Sequence, residues 1–259
     1  MREAAFFDLD KTVIARSSTL AFGKPLYNAG LLGRRALMKM GLAQLFYLLF
    51  GADEGNLRRA RDALLKMIAG WHKAEIERLV EEALESIADP LVYAEALFLI
   101  DEHLRQGRRV FIVSASPEEI VRPIAEHIGV HEVIATRVKT DARGRYLPEL
   151  EQYIMGPGKA EAITALAERE ELDLAASYAY SDSITDLPML EAVGHPVAVN
   201  PERDLRRIAE ERAWPILEFQ RPVSLQRRLP RSRLLYGAAF LAGVGVVGVG
   251  AALVLRRRR

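Results

Sequence analysis

The sequence contains no cysteine in its 259 residues, which excludes a disulfide framework, a thiolate metal site and a cysteine nucleophile. Any metal chemistry must therefore use oxygen or imidazole. Acids are missing from the C-terminal part, where none follows Glu218. Nine of the 36 basic residues lie beyond residue 220, so residues 1–220 hold 27 basic against 35 acidic side chains, a net −8 hidden by the whole-chain value of +1. An acidic body binds nucleic acid poorly over most of its surface, and no nucleic-acid partner is expected. Internal repeats are lacking, and Met1-Arg2-Glu3 is followed at once by a short apolar run rather than by an export signal.

One long apolar run is present. Leu234 to Leu255 holds 22 residues with no ionisable side chain except Tyr236. As a helix it would be roughly 33 Å long, the thickness of a bilayer's hydrocarbon core. Arginines crowd both of its ends, as interfacial anchors do. The expectation is a transmembrane helix over 234–255, a basic linker over 221–233 and a basic tail over 256–259. This describes a single-pass membrane protein with a C-terminal anchor and a cytoplasmic body. Ala239 with Gly243 and Gly248 with Ala252 place small residues four apart, a helix-pairing face compatible with a homodimer.

Half of the chain is apolar, enough for a core of ordinary size. Ala4 to Phe7 read as a buried strand. From Ile14 to about Asp89 the pattern is helical, with apolar residues three and four apart over 26–36, 36–50, 54–69 and 73–87. Leu42 to Phe50 is too short to span a bilayer and is read as bundle core, with an apolar-substrate or lipid-facing surface as the sharper alternative. Asp89-Pro90 ends this module. Strands and helices then alternate: helix 91–106, strand 109–113, helix 117–127, strand 132–136, a hairpin within 138–150, helix 159–169, strand 176–180, helix 187–192, strand 197–199, helix 204–212 and strand 215–219. Such alternation predicts an α/β fold, a parallel sheet with helices on both faces. The domains follow: a core of 1–14 with 90–220, and an all-helical insertion over 15–89. Ligands of these sheets bind beyond the carboxyl ends of the strands.

Chemistry-bearing residues gather at those ends. In Phe6-Phe7-Asp8-Leu9-Asp10-Lys11-Thr12 an apolar strand stops at two carboxylates spaced to share one direction. Ser114 and Ser116 follow the strand Phe111-Ile112-Val113, where free N–H groups at a helix start favour anions, though either hydroxyl also reads as a plain helix cap. Gly156-Pro157-Gly158-Lys159 launches a lysine from a glycine-bounded turn. Tyr180-Ser181-Asp182-Ser183-Ile184-Thr185-Asp186 ends a strand in two further acids. Four carboxylates, a lysine and a hydroxyl at strand ends suit Mg²⁺ plus phosphate: hard oxygens for the ion, an ammonium to offset anionic charge, N–H and O–H donors for phosphoryl oxygens. The five histidines fall outside this set.

In order along the chain, these segments resemble the four motifs of the haloacid dehalogenase superfamily, in particular the phosphoserine phosphatase-like subfamily with a helical cap. The resemblance covers residues 6 to 220 and implies a Rossmann-like core. It further implies that Asp8 is the nucleophile, forming an aspartyl phosphate, and that Asp10 is the general acid and base. Asp8, the Asp10 carbonyl and Asp182 would hold Mg²⁺; Thr12, Ser114 and Lys159 would serve the phosphate; Asp186 would steady Lys159 and its own loop. Two departures stand out. Where phosphoserine phosphatases carry an acid early in the cap, this chain has Arg16-Ser17-Ser18-Thr19, and Thr185 replaces an asparagine common among relatives. The expected activity is hydrolysis of a small-molecule or lipid phosphomonoester, with a lysophospholipid or phospholipid-precursor phosphate suggested by the apolar cap stretch and the anchor together. The alternatives are a phosphotransferase or phosphomutase on the same fold, or a non-catalytic membrane scaffold.

Overall fold

The computed structural model describes residues 2–21, 23–28, 30, 54–88, 92–220 and 222–223. All lie in one compact unit, Met1–Ser224; a second, Leu225–Arg259, lies outside the described residues. Strand β1 (Ala4–Asp8) is buried at every position. Helices α1 (Ser18–Ala21), α2 (Gly23–Asn28), α3 (Glu54–Ile68) and α4 (Lys73–Ala88) come next, followed by β2 (Val92–Tyr93) and α5 (Ala94–Arg105). Then come β3 (Arg109–Pro117), α6 (Glu118–His127), β4 (Glu132–Thr140), β5 (Tyr146–Gln152) and α7 (Pro157–Glu170). Strand β6 (Tyr178–Ser181), α8 (Leu187–Glu191), β7 (His195–Val199), α9 (Arg203–Glu211), β8 (Ile216–Leu217) and β9 (Pro222–Val223) complete the unit.

The main sheet has seven strands in the order β5-β4-β3-β1-β6-β7-β8. Every neighbouring pair is parallel except β4 with β5. The sheet is therefore mixed rather than purely parallel, because the hairpin expected within 138–150 extends β4 and returns as an antiparallel edge. Alternation along β1 sorts its side chains. Ala4 and Phe6 enter a core with Phe111, Ile163, Leu166, Met189 and Leu205, whereas Phe7 meets His103 of α5 edge-on. Helices thus cover both faces. Burial of the large side chains, each worth about 1.5–3 kcal/mol, fixes β1 at the centre with Phe6 stacked on Phe111 and Phe7 on Tyr180.

Beyond the sheet, α4 packs on α6 and α3 on β5. The turn between α3 and α4 is laced to the β4–β5 hairpin: Gly70 N–H donates to the Tyr146 carbonyl at 2.9 Å, Tyr146 N–H to Trp71 at 3.0 Å and Lys73 N–H to Gly144 at 3.0 Å. The start expected for the 91–106 helix is corrected, since Val92 and Tyr93 pair instead with Val223 and Pro222. The helices expected over 31–50, and the stretch Leu42 to Phe50, lie outside the described residues.

The expected localisation is overturned. Among the described residues no helix is long and apolar enough to cross a membrane. The stretch 234–255 that carried the expectation lies outside the described residues, as do the basic linker, the tail and the small-residue pairing face.

Candidate functional site

Strands β3, β1 and β6 lie side by side, with Asp8 level with Val113 and Phe7 level with Tyr180. Their carboxyl ends therefore finish in a row. Strand β1 lies between neighbours reached in opposite directions, the switch point where sheets of this kind open a crevice. Asp8, the last residue of β1, Ser114, one step beyond the Asp8–Val113 level, and Asp182, just after β6, are all nearly inaccessible to solvent.

Lys159 holds the centre. Its Nζ donates to Asp8 Oδ1 at 2.5 Å and to Asp186 Oδ2 at 2.7 Å, with the lysine side chain 3 % exposed. Burial disfavours the ammonium, yet Asp186 and Asp8 outweigh it and hold Lys159 charged. The turn before it explains this reach. Gly156 adopts φ 55°, and at Gly158 a Cβ would lie 2.4 Å from the Tyr153 carbonyl oxygen. Only glycine lets the backbone fold this tightly onto itself.

Asp186 also accepts from Ser181 Oγ at 2.7 Å. The loop between them is braced by Glu202, whose Oε1 accepts from Ile184 N–H at 2.8 Å and from Ser183 Oγ at 3.0 Å. Asp182 accepts from Thr12 Oγ1 at 3.4 Å and lies 3.9 Å from Lys11 Nζ. Lys11 adopts φ 62°, a left-handed conformation that turns the chain sharply between Asp10 and Thr12.

Asp8 and Asp10, expected to share one direction, engage different partners. Asp10 Oδ1 accepts from Ser18 N–H at 2.6 Å and Oδ2 from Ser116 Oγ at 3.0 Å. Ser18 Oγ donates to Ser116 Oγ at 3.0 Å. Ser114 is not at a helix start: β3 runs on to Pro117 through a register shift between Ser114 and Pro117, and α6 begins at Glu118. Ser114 Oγ accepts from Ser116 N–H at 3.1 Å, so its own proton is directed elsewhere. The site thus adds Ser18 and Glu202 to the segments singled out by motif, and gives Lys11, Ser116 and Ser181 within those segments contacts of their own. A serine and a carboxylate twenty residues beyond Asp182 carry no spacing signal that periodicity could have found.

The field of the site is strongly negative. Burial, reinforced by Asp186, Asp182 and Asp10, pushes Asp8 well above the usual carboxylate range against the pull of Lys159. Burial likewise raises Asp182, to about 7, with Lys11 opposing and Asp186 and Glu202 adding. Asp10 is raised by burial, partly offset by the donors from Ser18 and Ser116. Four carboxylates, Asp8, Asp10, Asp182 and Asp186, thus stand around one buried ammonium that bonds two of them, a deficit of positive charge that a divalent cation fits. Among the described residues no group of three or more histidines and acids is placed to hold a metal ion by itself.

Residues 5–191 match the family description "haloacid dehalogenase-like hydrolase". A probable phosphatase of Mycobacterium tuberculosis is 52% identical over 250 residues, covering 96% of this chain and 85% of that protein. A phosphoserine phosphatase of the same organism is 33% identical over 258 residues, covering 99% and 81%. Among solved structures, a protein of unknown function from Bordetella pertussis superposes with a TM-score of 0.74 at 29% identity, over 84% of this chain and 98% of that one.

Proposed function

This chain belongs to the haloacid dehalogenase-like hydrolases and is a phosphatase of the phosphoserine phosphatase-like kind, and we propose that it hydrolyses a small-molecule phosphomonoester through an aspartyl phosphate on Asp8, with Mg²⁺ as cofactor. The lipid-phosphate expectation rested on the anchor and on the apolar stretch Leu42 to Phe50, both outside the described residues, and has no support in the site described above. The observation that carries the reading is the pairing of Lys159 with Asp8 and Asp186 at 2.5 and 2.7 Å. It holds a buried carboxylate in place at the carboxyl ends of the parallel strands β3, β1 and β6 and tempers a site otherwise too acidic to accept a phosphate dianion.

Asp8 would attack phosphorus as the bond to the leaving oxygen breaks, and Asp10 would deliver its proton to that oxygen. Burial raises Asp10, which favours the protonated form this step needs. Asp10, now a carboxylate, would take a proton from water as the water oxygen attacks phosphorus; the bond to Asp8 breaks, inorganic phosphate leaves and both acids return to their starting state. Ser114 Oγ–H and the Lys159 ammonium would hold phosphoryl oxygens, Thr12 would orient Asp182, and Asp186 would keep Lys159 aimed. Asp8, the Asp10 carbonyl and Asp182 would hold Mg²⁺, which supplies charge neutralisation for the transferring phosphoryl group. Residues 15–89, which begin just after Thr12, would form the cap, with 1–14 and 90–220 as the core.

The departure at Arg16-Ser17-Ser18-Thr19 now has a structural use, because Ser18 bonds Asp10. No acid stands there to take a substrate's amino group, so phosphoserine is expected to be a poor substrate. The test is hydrolysis of an aryl phosphate and a panel of metabolite phosphates by wild type and Asp8→Asn. Metal-dependent turnover lost in the variant, with folding intact by circular dichroism, supports the reading; turnover that survives it refutes the assignment.

A further inference from the structure

The Asp10 carboxyl accepts hydrogen bonds from two sides. The Ser18 N–H, at the first residue of α1, reaches Oδ1 at 2.6 Å, and the Ser116 hydroxyl reaches Oδ2 at 3.0 Å. Ser116 in turn accepts from Ser18 Oγ at 3.0 Å, so a two-hydroxyl chain ends on Asp10 and turns both protons toward it. Ser18 is fully buried and Ser116 only 7 % exposed. Neither position is a helix cap that would account for it: Ser116 lies within β3, and the N-cap of α6 is Pro117. Ser116 occupies the irregular stretch where β3 slips its register against β4, and irregularities of this sort commonly re-aim a side chain next to a site.

We propose that Ser116 and Ser18 are positioning residues for proton transfer by Asp10, fixing the plane of its carboxyl so that its proton is delivered to the leaving oxygen. The inference rests on the role given to Asp10 above. With Oδ1 facing an amide donor and Oδ2 a hydroxyl donor, the plane of the carboxyl is set from both sides, which orients its proton for delivery to the leaving oxygen. Without the Ser116 hydroxyl the carboxyl loses its contact at Oδ2, and its plane is held less firmly. The chain also ties Asp10 to the first turn of α1, where the inserted module begins, so the acid is held by the core and by the entrance to the insertion together.

The test uses leaving groups. An alkyl phosphate needs its leaving oxygen protonated, whereas p-nitrophenyl phosphate expels a stable phenolate and needs little help. kcat/KM reports the steps through formation of the phosphorylated enzyme and so isolates this proton transfer. In Ser116→Ala, kcat/KM for the alkyl ester is expected to fall about tenfold to a hundredfold, a portion of what general acid catalysis supplies, while that for the aryl ester changes less than about threefold. Ser116→Thr restores the hydroxyl and the alkyl rate. Ser18→Ala leaves the amide contact and the Ser116 bond intact, is expected to show a smaller loss in the same direction, and serves if Ser116→Ala does not fold. Asp10→Asn is measured alongside. If Asp10→Asn discriminates between the esters but the serine variants lose both rates equally, or neither, the positioning role is overturned. If Asp10→Asn itself does not discriminate, the role of Asp10 falls and the inference falls with it.

Discussion

Asp182→Asn should make the metal-free protein more stable at alkaline pH while abolishing metal-dependent turnover. Asp182 is buried and its pKa is raised from 3.8 to about 7, chiefly by burial, with Asp186 and Glu202 adding to the rise. A carboxyl whose folded-state pKa lies above its unfolded value binds the extra proton in the folded protein. Its contribution to stability is therefore full below about pH 4 and is lost as the pH rises through 7. Three units at about 1.4 kcal/mol each give a cost of ~4 kcal/mol for ionising Asp182 in the fold at pH 8. Asparagine keeps an acceptor for Thr12 Oγ1, and the attraction of the partly exposed Lys11, 3.9 Å away, is already contained in the raised value. The variant should thus gain about 4 kcal/mol at pH 8, on the order of 10 °C in Tm for a unit of this size. Thermal and urea melts in EDTA from pH 5 to 8 measure it, and the gap between the two proteins should widen with pH. Mg²⁺ should then raise the Tm of wild type but not of the variant. Curves that stay parallel across this range, or a variant less stable at pH 8, would refute the reasoning.

Two further outcomes follow from the same structure. Gly158→Ala places a methyl 2.4 Å from the Tyr153 carbonyl oxygen; backbone must shift, so a loss of about 1–3 kcal/mol is expected, together with reduced turnover as Lys159 moves, and an unchanged melt with full activity would contradict it. His103, whose Nε2 meets Tyr180 Oη at 2.7 Å, is lowered to about 4 by burial and by the nearby Arg108. It should stay neutral at pH 6, and the stability tied to its neutral form should hold above pH 6.5 and vanish as the pH falls through 4. A ring resonance that titrates near 6.5 by NMR would show this wrong.

Much of the catalytic core was legible because its strands announce themselves. Ala4 to Phe7, Val110 to Val113 and the expected strand 176–180, which in the structure starts at Tyr178 because Leu174–Ala176 form a turn, are runs that stop at polar residues, and their alternation with helices implies parallel neighbours. The register that sets Asp8 beside Val113, and brings Lys159 across 151 residues to Asp8, could be inferred only as a convergence of strand ends. What escaped was non-local or depended on small irregularities. Val92-Tyr93 looked like the first turn of a helix because its partner, Pro222-Val223, lies far along the chain. Ser114 looked like a helix cap because Ser-Ala-Ser-Pro reads as a strand end, whereas β3 continues through an irregular stretch to Pro117. The hairpin around Asp141 to Gly144 was visible, but not that it joins the main sheet as an antiparallel edge. In the sequence Ser18 marks only the place of a missing acid, since no periodicity marks a serine whose amide donates to a carboxylate eight residues earlier and whose hydroxyl donates to Ser116.

The chemical identity of the intermediate tests the central claim most directly. Wild-type protein with Mg²⁺ and a labelled phosphomonoester would be quenched in acid within the first turnover, trapped as a stable adduct and mapped by mass spectrometry. The phosphoryl group is expected on the peptide containing Asp8, at Asp8 itself and absent from Asp8→Asn. Turnover with no label on the protein, or label on any other side chain, would contradict the mechanism.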